Sequence, residues 1–239
     1  MVSRLIRYGF GFAILQLLIA CGPATQENNA SAVEQQSAAT EPVDAPDTAP
    51  ATEAKTLILA FGDSLYAGYG LAPDDGFVPE LQRALNEAGQ DVRVHNAGVS
   101  GDTTAAGLRR LDFVLDSLPK KPDLVLLGLG GNDLLRGLKP SETSANMDAM
   151  VKKLSDRDIP VMLTGMLAPP NMGKLFVDQF NIIYPAMALK YDAALYPFFM
   201  DGVVGRSDLI LPDGIHPNAK GIDIIVGKLA PQVEKVLEE

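Results

Sequence analysis

The sequence predicts an α/β domain, a three-layer α/β/α sandwich with a five-stranded parallel sheet at its centre. Three observations lead there. From residue 56 onward, short apolar runs of β type alternate with longer stretches of helical period. Each helical stretch carries one apolar stripe, as at Val78, Leu81, Leu85 and Ala88 and again at Leu108, Leu111, Leu115 and Leu118. Small and polar residues gather directly after the apolar runs, where an open parallel sheet presents its ligand loops.

Two segments precede that pattern. Met1 to Tyr8 holds Arg4 and Arg7 and no acid, and Gly9 to Ala20 is almost uninterruptedly apolar, the length of a signal-peptide core and too short to span a bilayer. The run closes on Leu18-Ile19-Ala20-Cys21, which resembles the bacterial lipobox. Residues 1–20 are therefore expected to be a lipoprotein signal peptide and Cys21 the lipidated residue. Two or three acyl chains on one cysteine make a durable anchor. Gly22 in place of Asp favours an outer-membrane destination facing the periplasm. Cys21 is the only cysteine, so no disulfide forms within the chain. The remainder of 21–55 is Ala, Pro, Thr, Ser, Gln and acids with almost nothing to bury, and it is expected to be a disordered acidic tether to a domain at 56–239.

Within the domain, the strands are expected at Thr56–Phe61, Val92–Asn96, Asp123–Leu129, Pro160–Gly165 and Ala194–Pro197. The helices are expected at Phe77–Ala88, Thr104–Leu118, Ser144–Asp156, Leu175–Tyr191 and Asn218–Leu237. A formal charge of −10 argues against a nucleic-acid partner. Only His95 and His216 are available as imidazole ligands, so neither a metal cluster nor a cofactor is expected.

The polar residues after the strands are Asp63-Ser64, Ser100-Gly101-Asp102 and Gly131-Asn132-Asp133, with Asp213 and His216 in a late loop. A serine hydroxyl becomes a useful nucleophile only beside an imidazole, which in turn needs an orienting group. His216 follows Asp213 by three residues in a loop braced by Gly214 and Pro217, so the acid can bond one ring nitrogen while the other faces Ser64. His95 lies within a strand and reads as structural. Ser64 N–H, Gly101 N–H and the Asn132 side chain are candidate donors to a developing oxyanion. Asp63 and Asp133 read as loop holders rather than as a metal site.

Four blocks of this sequence, Phe61-Gly62-Asp63-Ser64-Leu65, Asn96-Ala97-Gly98-Val99-Ser100-Gly101-Asp102-Thr103, Gly130-Gly131-Asn132-Asp133 and Asp213-Gly214-Ile215-His216-Pro217, occur in order. In these the chain resembles the SGNH, or GDSL, hydrolases, and most closely their bacterial arylesterase and acyl-CoA thioesterase/lysophospholipase group. That resemblance implies a flavodoxin-like fold, Ser64 as nucleophile, His216 as general base and then acid, Asp213 as its partner, and an oxyanion hole from Ser64, Gly101 and Asn132. The substrate would be a small-molecule acyl ester, a lysophospholipid or a thioester. Met166 to Met172, with Leu175 and Phe176, is a candidate acyl groove. A deacetylase acting on O-acetylated envelope glycans and a catalytically silent binding lipoprotein are the alternatives.

Overall fold

The computed structural model describes residues 54–238. The signal peptide, Cys21 and nearly all of the expected tether lie outside the described residues. Five parallel strands, β1 (Thr56–Gly62), β2 (Val92–Gly98), β3 (Leu124–Gly128), β4 (Val161–Thr164) and β5 (Ala194–Tyr196), form one sheet in the order β2-β1-β3-β4-β5. The α/β reading is borne out, and the strands differ from expectation only at their ends.

Alternation along β1 explains the layers. Ile58 and Ala60 face one core with Leu81 and Leu85 of helix α2 (Phe77–Glu87) and Ile225 and Leu229 of helix α8 (Ala219–Glu238). Leu59 and Phe61 face the other, with Leu111 of helix α3 (Thr104–Ser117) and Met150 and Leu154 of helix α5 (Pro140–Ser155). A strand covered on both sides reads as a continuous apolar run, as Leu57-Ile58-Leu59-Ala60-Phe61 does. The chain steps from β1 to β2 in one direction and returns past β1 to β3 in the other. The crevice that this reversal opens, between the carboxyl ends of β1 and β3, is where such sheets hold ligands.

Two helical expectations need correction. The helix expected at Leu175–Tyr191 is two, α6 (Lys174–Asn181) and α7 (Ile183–Tyr191). Pro185 is the reason: it has no N–H for the Asn181 carbonyl, and its ring crowds that carbonyl, so a continuous helix breaks before it while a first turn tolerates it. Helix α5 starts four residues before Ser144, at Pro140, because proline suits a first helical position. Two short helices have no counterpart among the expected ones, α1 (Ser64–Ala67) and α4 (Gly131–Leu135). Neither is long enough to display a period.

Candidate active site

Ser64 follows β1 and opens α1, whose cap is Asp63: its Oδ1 accepts from Leu65 N–H at 3.1 Å. One helical turn does not hold itself together in water, so α1 depends on its seat. That seat is glycine. Gly62, Gly98 and Gly128 lie side by side in register at the carboxyl ends of β1, β2 and β3. A Cβ on Gly62 or Gly128 would overlap the Tyr66 ring, and one on Gly98 would overlap the Tyr66–Ala67 backbone. Tyr66 fills the space: it is buried, shares a 2.7 Å hydrogen bond with Thr164 Oγ1, and packs 4.9 Å from Phe77 and 5.5 Å from Phe199 between ring centres.

His216 reaches Ser64 from the loop before α8. Leu211 N–H donates to His216 O at 2.7 Å, and an antiparallel bridge joins Ile210 to Pro217, so the loop is closed on itself. The Ser64 hydroxyl and His216 Nε2 are 2.8 Å apart, and His216 Nδ1 and Asp213 Oδ2 are 2.6 Å apart. With the ring proton on Nδ1, serine donates to histidine and histidine to aspartate. The Tyr69 ring covers the imidazole, 4.5 Å between centres. Asp213 Oδ1 also accepts from the N–H groups of Ile215 and His216, at 2.9 and 3.0 Å. These two backbone bonds, and then the imidazole, hold the Asp213 carboxyl down at about 2, so it is ionised at neutral pH. His95 is paired with Leu59 inside the sheet and takes no part in this chain of bonds.

Of the expected donors, Ser64 and Asn132 line one cavity with His216, and Gly101 lies in the loop between β2 and α3. Ser64 N–H, at the first position of α1, has no partner within its helix. Gly101, at φ +86°, takes a conformation that glycine adopts without strain, and among the described residues its N–H donates to no other group. Asn132 Nδ2 donates to Asp63 Oδ2 at 3.2 Å. Asp63 is thus more than a loop holder, since it grips the amide that faces the crevice. Burial pushes its carboxyl up to about 6, partly countered by the Leu65 N–H and the Asn132 amide. Asp133, also buried, accepts from Thr104 N–H at 2.8 Å and from the hydroxyls of Thr104 and Thr143, tying α3, α4 and α5 together.

Ser64, Asn132 and His216 line a cavity of about 90 Å3 whose apolar walls are Leu65, Leu134, Leu135, Met166, Met200 and Ile215. This corrects the expected groove. Of that segment only Met166 reaches the cavity; Met172 and Phe176 pack on the core below, and Leu175 is exposed. The walls come one or two at a time from α1, α4 and separate loops, so no contiguous apolar run announces them. A larger hollow of about 260 Å3 between Val151, Ile159 and Tyr191 lies at the opposite end of the strands and carries no serine–imidazole pair. No group of three or more His, Cys, Asp or Glu side chains suited to a metal ion occurs among the described residues.

The GDSL-like lipase/acylhydrolase family matches residues 60–224, from β1 into α8. The chain belongs to this family. This GDSL hydrolase is 42% identical over 164 residues to esterase TesA of Pseudomonas aeruginosa, covering 69% of the chain and 81% of that protein. It is 35% identical over 188 residues to thioesterase 1/protease 1/lysophospholipase L1 of Escherichia coli K12, covering 78% and 87%. Among solved structures it is similar to AlinE4, an SGNH-hydrolase family esterase, with a TM-score of 0.65 and 51% identity over 76% of this chain and 96% of that one. The GDSL hydrolase is accordingly an enzyme, a carboxylic ester hydrolase.

Proposed function

We propose that the GDSL hydrolase is a serine esterase that works through an acyl-enzyme on Ser64, with His216 as base and acid and Asp213 as its orienting partner. The 2.8 Å separation of Ser64 Oγ and His216 Nε2, with Asp213 on the other ring nitrogen, carries this reading. As Oγ bonds to the ester carbonyl carbon, its proton passes to Nε2 and the carbonyl oxygen becomes anionic. Ser64 N–H, Gly101 N–H and the Asn132 amide receive that oxygen, each such donor contributing about 3 kcal/mol to the barrier reduction. The tetrahedral species collapses by breaking the bond to the alcohol oxygen, which takes the proton from Nε2. Water then gives a proton to Nε2 and attacks the acyl carbon. Oγ leaves with that proton, releasing the acid. Asp213 stays ionised and steadies the imidazolium in both halves.

The cavity beside Ser64 is far smaller than the roughly 300 Å3 of an ordinary small-molecule site, so it suits the first carbons of an acyl group. Exposed Leu135 and Ile215 at its edge extend the apolar surface for a longer chain. Aryl esters, lysophospholipids and acyl thioesters are the proposed substrates. An anchor on Cys21, holding the enzyme at the periplasmic face of the outer membrane, would keep it beside the lipids among them. Ser64→Ala should lower kcat/KM for p-nitrophenyl acetate by at least about 10^3-fold and abolish labelling by a fluorophosphonate. Near-wild-type turnover by that variant would overturn the reading.

A further inference from the structure

We propose that Arg136 is a recognition point for an anionic group on the alcohol side of the substrate, a phosphate in particular; this rests on the serine-esterase reading above. Arg136 follows Asn132 by one helical turn and caps the end of α4. Its side chain is exposed and bends across the crevice edge, where Nη2 donates to Gly101 O at 2.7 Å. Gly101 is the residue whose N–H is a proposed oxyanion donor, so a full positive charge stands against the loop that carries that donor.

That charge is uncommitted. Arg110, the other guanidinium at this edge, donates to Asp102 Oδ2 at 2.6 Å and to Gly62 O at 2.9 Å and lies 4.0 Å over the Phe61 ring. Its charge is neutralised and one of its faces lies on the Phe61 ring. Arg136 has no carboxylate partner among the described residues, and the one carboxylate of the Gly101 loop, Asp102, is already taken by Arg110. A guanidinium presents several N–H donors in a plane that matches two phosphate oxygens, and one bond to a carbonyl leaves most of them unused. In a chain of net charge −10, a guanidinium at the crevice edge with no carboxylate partner among the described residues also sorts substrates, drawing in an anionic ester that the rest of the surface repels. In a lysophospholipid the phosphate lies a few atoms beyond the ester oxygen. An ester seated on Ser64 thus brings its phosphate to the crevice edge.

The experiment compares 1-butyrylglycerol 3-phosphate with 1-butyrylglycerol, soluble esters with the same acyl group and the same scissile bond. Wild type should prefer the phosphorylated ester. Arg136→Gln should reduce that preference about tenfold, through KM, while Arg136→Lys, which keeps the charge but not the planar fork, should retain part of it. Raising the salt concentration should shrink the preference in wild type and leave it unaltered in Arg136→Gln. Equal losses on both esters would show that Arg136 only holds the Gly101 loop and would overturn the proposal, as would an unaltered preference in Arg136→Gln. If wild type reacts with neither ester and resists a fluorophosphonate, the esterase reading itself fails. Normal turnover of p-nitrophenyl acetate without any preference for phosphate defeats the Arg136 proposal alone.

Discussion

Asp63 adjoins the proposed nucleophile in sequence, yet its carboxylate is 3% exposed and, among the described residues, has no Lys or Arg partner. A carboxyl raised from 3.8 to about 6 binds protons more readily folded than unfolded between those values. Its cost to stability is therefore absent below about pH 4, grows as pH rises through the window, and is complete above about pH 6. A rise of that size costs up to about 3 kcal/mol once the group is ionised. In Asp63→Asn that cost is removed, so the stability of the variant relative to wild type should climb by that amount between pH 4 and pH 7. Urea unfolding at several pH values measures it, and a difference that stays flat with pH would refute the assignment. Activity should nonetheless fall in Asp63→Asn, because the Asn132 amide loses its carboxylate acceptor. Much of this chemistry is legible in the sequence. Ser64, Asp213 and His216 stand out because few residues can supply such a chain and two of them are three positions apart. The grip of Asp63 on Asn132 and of Arg136 on Gly101 is not legible there, because each contact spans a gap between loops that only the folded chain closes.

At the scale of elements, the long periodic segments reveal themselves and the short functional ones do not. α2 and α3 occur where their stripes of leucine and valine put them, since burying such a stripe is what stabilises an isolated amphipathic segment. α1 and α4, which carry Ser64 and Asn132, are stabilised from outside instead. For α1 the outside support is the glycine row under Tyr66. Gly98→Ala should dislodge the Tyr66–Ala67 backbone and with it Ser64, cutting kcat/KM for p-nitrophenyl acetate by about tenfold or more. The expected loss is larger in activity than in sheet content, which circular dichroism reads. Full activity in a folded Gly98→Ala protein would show that α1 has room to spare. The helix break at Ile182 is hidden for a related reason: the apolar pattern runs on through Pro185, and only the backbone objects.

For the whole molecule, the distribution of charge and length separates the catalytic domain from its proposed attachment. No described helix is long and apolar enough to cross a membrane, and the proposed anchor at Cys21 is tested on its own. Cys21→Ser in the full chain, expressed in a Gram-negative host, should move the protein from the detergent phase to the aqueous phase of a Triton X-114 partition. Persistence in the detergent phase would rule out a lipidated Cys21. On the domain itself, Lys153–Asp112 bridges α5 and α3 and Arg157–Asp116 joins the turn after α5 to α3, both at exposed positions, and pairs of that kind add little to stability. The sheet provides the rigidity, and it does so unevenly around the crevice. Because Tyr66 is clamped over the glycines of β1 and β3 and bonded to Thr164 of β4, the serine side of the cleft moves only as the sheet moves. Gly101, Asn132 and His216 sit on loops and a single short turn. Accommodation of esters of different shape thus falls to one jaw of the cleft, closing on an anvil that does not yield.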